Sequence, residues 1–312
     1  MGLTHFDEAR RGEVAVGHLH ATWSYLGEDA GCVGIGLRRI QVREGAWSTP
    51  AHEHGRSEEI FYVLAGRGLS WQRGEVAEIG EGDCIVYLPG SGAHTLHALT
   101  DLDVLAFGPR ERDESPRFPR LGASLLGNRF VDSGPGAMDG LPTQFVREAE
   151  LGPPELPAEP GPRPATIVNV AEVEGKTVER EHVGRTRQNL GVAAGSVTTG
   201  LQHVEVMPGK ESAPLHCHSL EDELFVILES DGVLVLDDKE QFPVRPGSVV
   251  SRPAGTGVSH LFRAGDGGLT YLAYGTRDPG DICYYPRSNK INFGGVGVIG
   301  RIEKLDYWDG ED

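Results

Sequence analysis

The sequence predicts an all-β protein that consists of two copies of one small β-barrel or β-sandwich. Glycine and proline are abundant, with 44 and 20 residues in a chain of 312, which is typical of turn-rich β structure. Short apolar runs alternate with Gly and Pro turns, and no sustained helical periodicity is present. The two halves of the chain also resemble each other in sequence. Together these observations indicate a duplicated β domain.

The internal repeat aligns residues 18–68 with residues 182–232 without a gap. The shift is 164 residues, and 19 of the 51 aligned positions are identical. Chance identity is about one in fifteen at average residue usage. Because the shift is close to half the chain length, the repeated unit is a domain.

Each copy contains three clear strand patterns, rich in β-branched and aromatic residues and bounded by turn residues. In the first copy they are GIGLRRIQV, EIFYVLAG and DCIVYLP. In the second copy they are GLQHVEV, ELFVILE and GSVVSRP. Runs of this length and composition predict strands rather than helices.

The order of domains follows from the repeat and from the density of proline. We expect an N-terminal arm at residues 1–20, a first barrel at 21–108, a linker at 109–165, a second barrel at 166–280 and a C-terminal tail at 281–312. The linker holds eleven of the twenty prolines, so it cannot be a continuous helix or a central strand. We expect it to be partly extended and to lie over a barrel. The tail is rich in tyrosine and β-branched residues, and we expect it to pack on a barrel or on a partner subunit.

Charge and cysteine content exclude several classes of function. Acidic residues outnumber basic ones by 46 to 29, which gives a formal net charge of −17. This charge repels phosphate backbones and anionic lipids, so we expect neither nucleic acid nor a membrane as a partner. No stretch approaches the ~20 apolar residues of a membrane span, and the polar N-terminus differs from a signal peptide. The four cysteines are too scattered for a disulfide framework. We therefore expect a cytoplasmic protein with reduced thiols.

Each copy carries a His-x-His pair, a glutamate five residues later and a further histidine downstream. Two histidines separated by one residue on a strand point to the same side, and the glutamate can face them from the next strand. Three neutral imidazoles and one carboxylate suit a divalent first-row metal such as Mn, Fe, Ni or Zn. One such motif would fit a buried structural pair, but two complete copies favour metal binding. The candidate ligands are His52, His54, Glu59 and His94 in the first copy and His216, His218, Glu223 and His260 in the second.

This arrangement resembles the motifs of the cupin superfamily, and its duplication resembles a bicupin. The first cupin motif contains a glycine, His-x-His, a glutamate and a closing glycine, and the second contains a proline, a glycine and a final histidine. The resemblance covers residues 20–108 and 185–275. It implies a jelly-roll β-barrel with a metal in its mouth. The departures are one extra residue before the first histidine and Ser230 in place of the closing glycine.

The resemblance implies several reactions for such a metal, which leaves coordination positions open for a small oxygen-rich ligand. Similar cupins cleave bonds oxidatively, oxidise oxalate, decarboxylate or isomerise sugars, and others only bind ligands. Oxalate-decarboxylating bicupins carry an arginine where this chain has Thr49 and Ala213, and gentisate-type dioxygenases dispense with the glutamate. We therefore expect a metal-dependent dioxygenase or other oxidoreductase that acts on a small oxygenated organic acid or polyol. The alternatives are an isomerase or decarboxylase, and a non-catalytic bicupin that binds a metal or a sugar.

We expect Mn or Fe as the metal, with Zn or Ni as alternatives, and up to two ions per chain. No organic cofactor is expected. Residues 295–300 match the dinucleotide fingerprint GxGxxG, but only twelve residues follow. The fingerprint needs a helix, a further strand and an acidic residue about twenty positions on, so we expect turns in a tail strand instead.

His203 and Glu205, on the strand before the second motif, are the candidates for proton transfer. The first copy has Arg39 and Gln41 at the aligned positions. Residues two apart on a strand share a face. In the barrel interior this pair could move protons near neutral pH and would favour the second copy for catalysis. On the outer face it would meet solvent or the other barrel. We further expect the two barrels to pack together and the chain to form a homodimer.

Overall fold

The computed structural model describes residues 2–111, 113–126, 129–132, 137–139 and 141–311. The helices are α1 (Leu26–Asp29), α2 (Leu141–Leu151) and α3 (Leu190–Ala193), and short 3₁₀ turns lie at Pro119–Leu121, Val170–Glu172, Pro286–Ser288 and Gly294–Val296. The strands up to the end of the linker are β1 (Gly2–His5), β2 (Arg11–Val16), β3 (Leu19–Ser24), β4 (Ile35–Val42), β5 (Glu59–Ala65), β6 (Arg67–Gln72), β7 (Glu75–Gly80), β8 (Asp83–Tyr87), β9 (His94–Ala98), β10 (Leu102–Pro109), β11 (Arg117–Phe118), β12 (Ala123–Leu126), β13 (Arg129–Asp132) and β14 (Ala137–Asp139). The later strands are β15 (Ile167–Asn169), β16 (Lys176–Glu179), β17 (Gly184–Gln188), β18 (Thr199–Val206), β19 (Cys217–His218), β20 (Glu223–Glu229), β21 (Gly232–Leu236), β22 (Glu240–Val244), β23 (Ser248–Arg252), β24 (His260–Ala264), β25 (Leu269–Thr276), β26 (Ile282–Tyr285), β27 (Lys290–Phe293) and β28 (Val298–Arg301).

The first unit is a sandwich of two antiparallel sheets. Its larger sheet has the strand order β15-β8-β5-β10-β4-β3-β2, and its smaller sheet has the order β7-β6-β9. Between them lies an apolar core, to which Ile40, Phe61 and Val104 come from the larger sheet and Ile79 and Leu96 from the smaller. Alternate residues of each strand enter this core because side chains alternate between the two faces of a sheet.

The second unit repeats this architecture. Its larger sheet has the order β1-β23-β20-β25-β18-β17-β16, and its smaller sheet has the order β22-β21-β24. Val204, Phe225 and Val250 meet Leu234 and Phe262 in its core. The six strand patterns found in the sequence are β4, β5, β8, β18, β20 and β23. The predicted all-β fold, with tandem duplicated jelly-roll β-barrels, is confirmed.

The two units exchange their leading strands. β1 pairs with β23 of the second unit, whereas β15 pairs with β8 of the first unit. β1 and β2 lie within residues 1–20 and belong to the sheets of the second and the first unit, respectively, and β15 lies within residues 166–280 and belongs to a sheet of the first unit. Backbone pairing with a distant strand leaves no local pattern in the sequence.

A buried apolar layer joins the two units. The outer faces of the larger sheets pack against each other, with Leu37, Leu105 and Phe107 on one side and Leu224 and Tyr274 on the other. The rings of Phe107 and Tyr274 lie with centroids 5.1 Å apart. The two barrels therefore pack together, as expected from the sequence.

A buried carboxylate strengthens this interface. Glu58, which is 1% exposed, accepts hydrogen bonds from the backbone N–H groups of residues 197–199 and from three nearby hydroxyls. At the equivalent position of the second unit, Asp222 accepts a 2.9 Å bond from the backbone N–H of Gly34. Each unit thus reaches across to the backbone of the other.

The linker and the tail form two equivalent segments, which we call the first flap (β11 to β14) and the second flap (β26 to β28). Each flap pairs with the residues of a His-x-His pair, since Glu53 pairs with Arg117 and His218 pairs with Cys283. The linker also contains helix α2. Residues 295–300 span a 3₁₀ turn and β28. No helix among the described residues is long and apolar enough to cross a membrane. All four cysteines are free.

Candidate metal centres

Backbone pairing brings the four predicted ligands of the first unit together. His52 and His94 exchange backbone hydrogen bonds of 3.2 and 2.8 Å, and Glu59 begins strand β5 of the larger sheet. The Nε2 atoms of His52, His54 and His94 lie 3.9, 3.7 and 3.0 Å from Oε2 of Glu59. Three imidazoles and one carboxylate therefore converge on one point, which we call the first centre.

The second unit forms an equivalent second centre. His216 and His260 exchange backbone hydrogen bonds of 3.3 and 2.7 Å. The Nε2 atoms of His218 and His260 lie 3.9 and 3.1 Å from Oε2 of Glu223. Ligand atoms of His216, Glu223 and His260 all lie within 4.8 Å of one another. The structure thus brings together all eight predicted ligands in two sets of four.

The protonation of the histidines suits a metal. The carbonyl oxygen of Pro50 accepts a 3.0 Å bond from Nδ1 of His52, and that of Pro214 accepts a 2.8 Å bond from Nδ1 of His216. Because a carbonyl only accepts, Nδ1 carries the proton and Nε2 keeps its lone pair. Burial lowers the pKa of His52 to about 3 and that of His216 to about 4. Both rings are therefore neutral near pH 7.

The two glutamates remain ionised. Burial opposes the charge of Glu59, but the hydrogen bond from His94 and the nearby histidines outweigh burial and lower its pKa to about 2. The histidines of the second centre likewise lower the pKa of Glu223 to about 2 against the effect of burial. Neutral imidazoles and an ionised carboxylate are the forms that bind a divalent transition metal, so the residues present fit such an ion.

A carboxylate that precedes each flap in the chain lies next to the corresponding centre. Oδ2 of Asp281 accepts a 2.6 Å hydrogen bond from Nδ1 of His218, while its Oδ1 accepts bonds from the backbone N–H groups of residues 219–221. Glu114 holds the equivalent loop of the first unit through the N–H groups of residues 55–57. Its carboxylate lies 3.9 Å from Nδ1 of His54, which is too long for a hydrogen bond. The second centre therefore has the more firmly oriented histidine.

Negative groups are concentrated around His218. Burial lowers the pKa of its imidazole, but hydrogen bonds with Cys283 and Asp281 and the charge of Glu223 outweigh burial and raise the pKa to about 10. A cation bound at Nε2 would take the place of this proton. The surroundings of His218 therefore stabilise positive charge at the second centre.

Each centre lies in the wall of a cavity. The cavity of the first centre has a volume of about 360 Å³ and includes Trp23 in its lining. The cavity of the second centre has a volume of about 380 Å³ and includes Arg185 and Arg187. Either cavity can admit a small molecule to the ligand atoms.

The cupin domain model matches the chain twice, over residues 38–107 and 202–273, and each match falls within one of the two sandwiches. The chain is a bicupin. Each match contains the glutamate and the three histidines of one centre. The family assignment and the candidate metal centres therefore rest on the same parts of the chain.

Two solved structures of an oxalate decarboxylase share this fold, and a third solved structure aligns with less than half of the chain. The oxalate decarboxylase of Bacillus subtilis at pH 4.6 aligns with 88% of this chain and 75% of its own, at 16% identity and a TM-score of 0.58. Another structure of that enzyme, determined in a study of its Mn(II) centers, aligns with 88% and 76% at 15% identity and a TM-score of 0.55. A cupin sugar phosphate isomerase from Silicibacter pomeroyi aligns with 45% of this chain and 96% of its own, at 27% identity and a TM-score of 0.40. No curated protein sequence matches the chain.

The structure does not bring His203 and Glu205 to either centre of the bicupin. On β18, Gln202 and Val204 face the second cavity, so the intervening His203 and Glu205 face the opposite side of the sheet. They line a separate cavity of about 460 Å³, where His203 contacts Gln188 at 3.0 Å and Glu205 is largely exposed. This pair therefore gives no reason to prefer the second centre for proton transfer. The shared face was predicted correctly, but its direction depends on how the units pack.

The sequence motifs do not include the aromatic residues that the flaps add to each centre. Phe118 stacks on His52 with centroids 5.9 Å apart, and Tyr285 stacks on His216 at 6.0 Å. A signal for them is present, because FPR at residues 118–120 matches YPR at 285–287 with a shift of 167. The same shift aligns Glu114 with Asp281. These matches lie beyond the ungapped repeat, where the shift has changed by three residues.

Proposed function

We propose that this bicupin is a metal-dependent enzyme that oxidises a small oxygenated organic acid or polyol in a dioxygenase-like reaction. The observation that supports it is the convergence of three imidazoles and an ionised carboxylate in the wall of a cavity, twice in one chain. In a structural metal site the protein fills every coordination position, whereas a catalytic site keeps a position open to a cavity that admits the substrate.

We propose Mn or Fe as the working ion. The chemistry that such an ion supplies when bound is Lewis-acid activation of an oxygen ligand and, in these two cases, redox chemistry with O₂. The Mn(II) centers of the Bacillus subtilis oxalate decarboxylase, which shares the fold, make Mn the first ion to test. The residues of this chain would hold the ion through Nε2 atoms and a carboxylate oxygen, while Asp281 orients His218 and Tyr285 covers His216.

The test measures turnover on protein purified without a histidine tag and loaded with Mn(II) or Fe(II). O₂ consumption, CO₂ release and product mass are followed for a panel of small dicarboxylates, hydroxy acids and polyols. His94→Ala and His260→Ala each remove one ligand from one centre and serve as matched variants. We expect O₂ consumption with at least one organic acid, and we expect one of the two variants to abolish it.

Other outcomes would contradict the proposal in distinct ways. CO₂ release without net O₂ consumption would identify a decarboxylase, and a product of unchanged mass would identify an isomerase. Tight ligand binding with no turnover for any substrate and either metal would identify a binding protein. Less than half an equivalent of transition metal after loading would overturn the assignment of both centres.

A further inference from the structure

We infer that Arg185 and Arg187 form an anion-binding subsite in the cavity of the second centre, which receives a carboxylate group of the substrate. This inference rests on the proposed function, and it names the substrate class as a small molecule with two oxygen-bearing ends. One end binds the arginines and the other faces the histidines. It also assigns the reaction to the second centre rather than the first.

The strand β17 places both arginines in the cavity. Residues two apart on a strand share a face, and Arg185 and Arg187 both line the cavity that contains His216 and Glu223. Nη1 of Arg185 donates a 2.7 Å hydrogen bond to the carbonyl oxygen of Ser212, which holds its guanidinium in place. The subsite and the metal ligands therefore share one cavity.

Neither arginine is neutralised by the protein. Among the described residues, Arg185 and Arg187 form no ion pair with a carboxylate, and the Arg187 side chain donates no hydrogen bond. Arg185 and Arg187 are both half-buried and share one face of β17, and burial together with the charge of Arg185 lowers the pKa of Arg187. Two adjacent half-buried guanidinium groups repel each other, and an anion bound between them would relieve this repulsion.

The acidic residues that line the cavity are Glu221, Glu223, Asp278 and Asp281, and none of these four forms an ion pair with Arg185 or Arg187. Asp281 binds His218 and the backbone of residues 219–221, and Glu223 contacts His260 at 3.1 Å. Glu221 lies 3.7 Å from His218, on the same side as the metal ligands. The arginines remain available for an incoming anion.

The first cavity lacks this subsite. The shift of 164 aligns Arg185 and Arg187 with Ala21 and Trp23, on either side of the identical pair Thr22 and Thr186. Trp23 lines the first cavity with an apolar ring. The arginines that do line the first cavity, Arg38 and Arg110, are both paired with Glu28. Among the described residues that line the two cavities, arginines without a carboxylate partner therefore occur beside the second centre alone.

The shape of the subsite favours a carboxylate. A guanidinium donates two parallel hydrogen bonds to the two oxygens of a carboxylate. A cavity of about 380 Å³, lined by both the arginines and the histidines, has room for a small dicarboxylate. Malonate has this size and charge, and malonamide is an uncharged molecule of nearly the same shape.

The test measures binding of malonate and malonamide to the full Mn(II)-loaded chain by isothermal titration calorimetry. Arg187→Gln and Arg185→Gln remove one charge each, Arg187→Lys retains the charge, and Arg38→Gln is the matched control in the first cavity. Melting temperature and Mn(II) content are measured for every variant. We expect each Gln variant to weaken malonate binding about tenfold or more, since a charge-assisted hydrogen bond is lost. Arg187→Lys should keep part of the affinity, and Arg38→Gln should keep all of it.

The outcomes separate this inference from the proposed function. Malonate binding within twofold of wild type in both Gln variants, with Mn(II) content retained, would overturn the subsite even if turnover persists. Malonate binding no tighter than malonamide binding would overturn it as well. Tighter binding of inorganic phosphate than of malonate would refute the carboxylate assignment. Loss of malonate affinity in the Gln variants, in a chain that turns over no substrate, would support the subsite and refute the oxidative function.

Discussion

Removal of the Asp281 carboxylate tests how the residue before the second flap supports the second centre. Oδ2 of Asp281 binds Nδ1 of His218 at 2.6 Å, and its other oxygen accepts bonds from three backbone N–H groups of the loop at residues 219–221. In Asp281→Ala, the imidazole loses the group that fixes its tautomer and orientation, and the loop loses its anchor. Loss of a group that hydrogen-bonds to a metal ligand lowers the metal affinity about 10–100-fold, or by about 1.4–2.7 kcal/mol.

Glu114→Ala provides the matched comparison in the first unit. Glu114 anchors the equivalent loop, but its carboxylate lies 3.9 Å from Nδ1 of His54 and forms no hydrogen bond with it. We therefore expect a smaller loss of metal affinity, below about tenfold, at the first centre.

Each centre can be measured alone by competition with a chelator. His54→Ala leaves the second centre intact and provides the background for Asp281→Ala, whereas His218→Ala provides the background for Glu114→Ala. Metal content by mass spectrometry gives the stoichiometry. Equal losses at the two centres, or a loss below twofold for Asp281→Ala, would refute the argument that the short contact to His218 determines the difference.

Three further predictions follow from the structure. His54→Ala or His218→Ala should reduce metal affinity at its own centre by about two orders of magnitude or more, with the fold retained because both cores are apolar; unfolding at room temperature in circular dichroism would show a structural metal instead. Burial opposes the charge of Glu58, but hydrogen bonds from residues 196–199 lower its pKa below the ordinary 4.5, so its stabilisation is present above pH ~4.5 and is lost as pH falls through the lower, folded-state pKa. Thermal melts of the wild-type chain from pH 3 to 7 should show a melting temperature that falls at low pH. Glu58→Gln should be destabilised by about 1–3 kcal/mol and should no longer show this fall. We also predict a homodimer, since β28 and residues 305–308 expose apolar side chains; light scattering that gives 33.6 kDa at all concentrations would contradict it.

The sequence by itself determined the duplication, the strand class and the two sets of four side chains that converge in the structure. These features are local, because a His-x-His pair and a glutamate five residues later keep their spacing whatever surrounds them. The alternation of side chains then predicts which of them share a face. Repetition favoured metal binding as the interpretation of these residues, since a single buried histidine pair would not recur with a glutamate and a further histidine at matched spacing.

Only the tertiary structure decided the partners of these local features. The exchange of β1 and β15 depends on pairing between strands that lie more than 80 residues apart, and no local pattern records such a pairing. The alternation of side chains along a strand placed His203 and Glu205 on one face of β18. The packing of the two larger sheets determined that this face points away from the candidate metal ligands. Asp281 and the arginines of β17 gain their roles in the same way, because folding brings a tail and an early strand to opposite sides of one cavity.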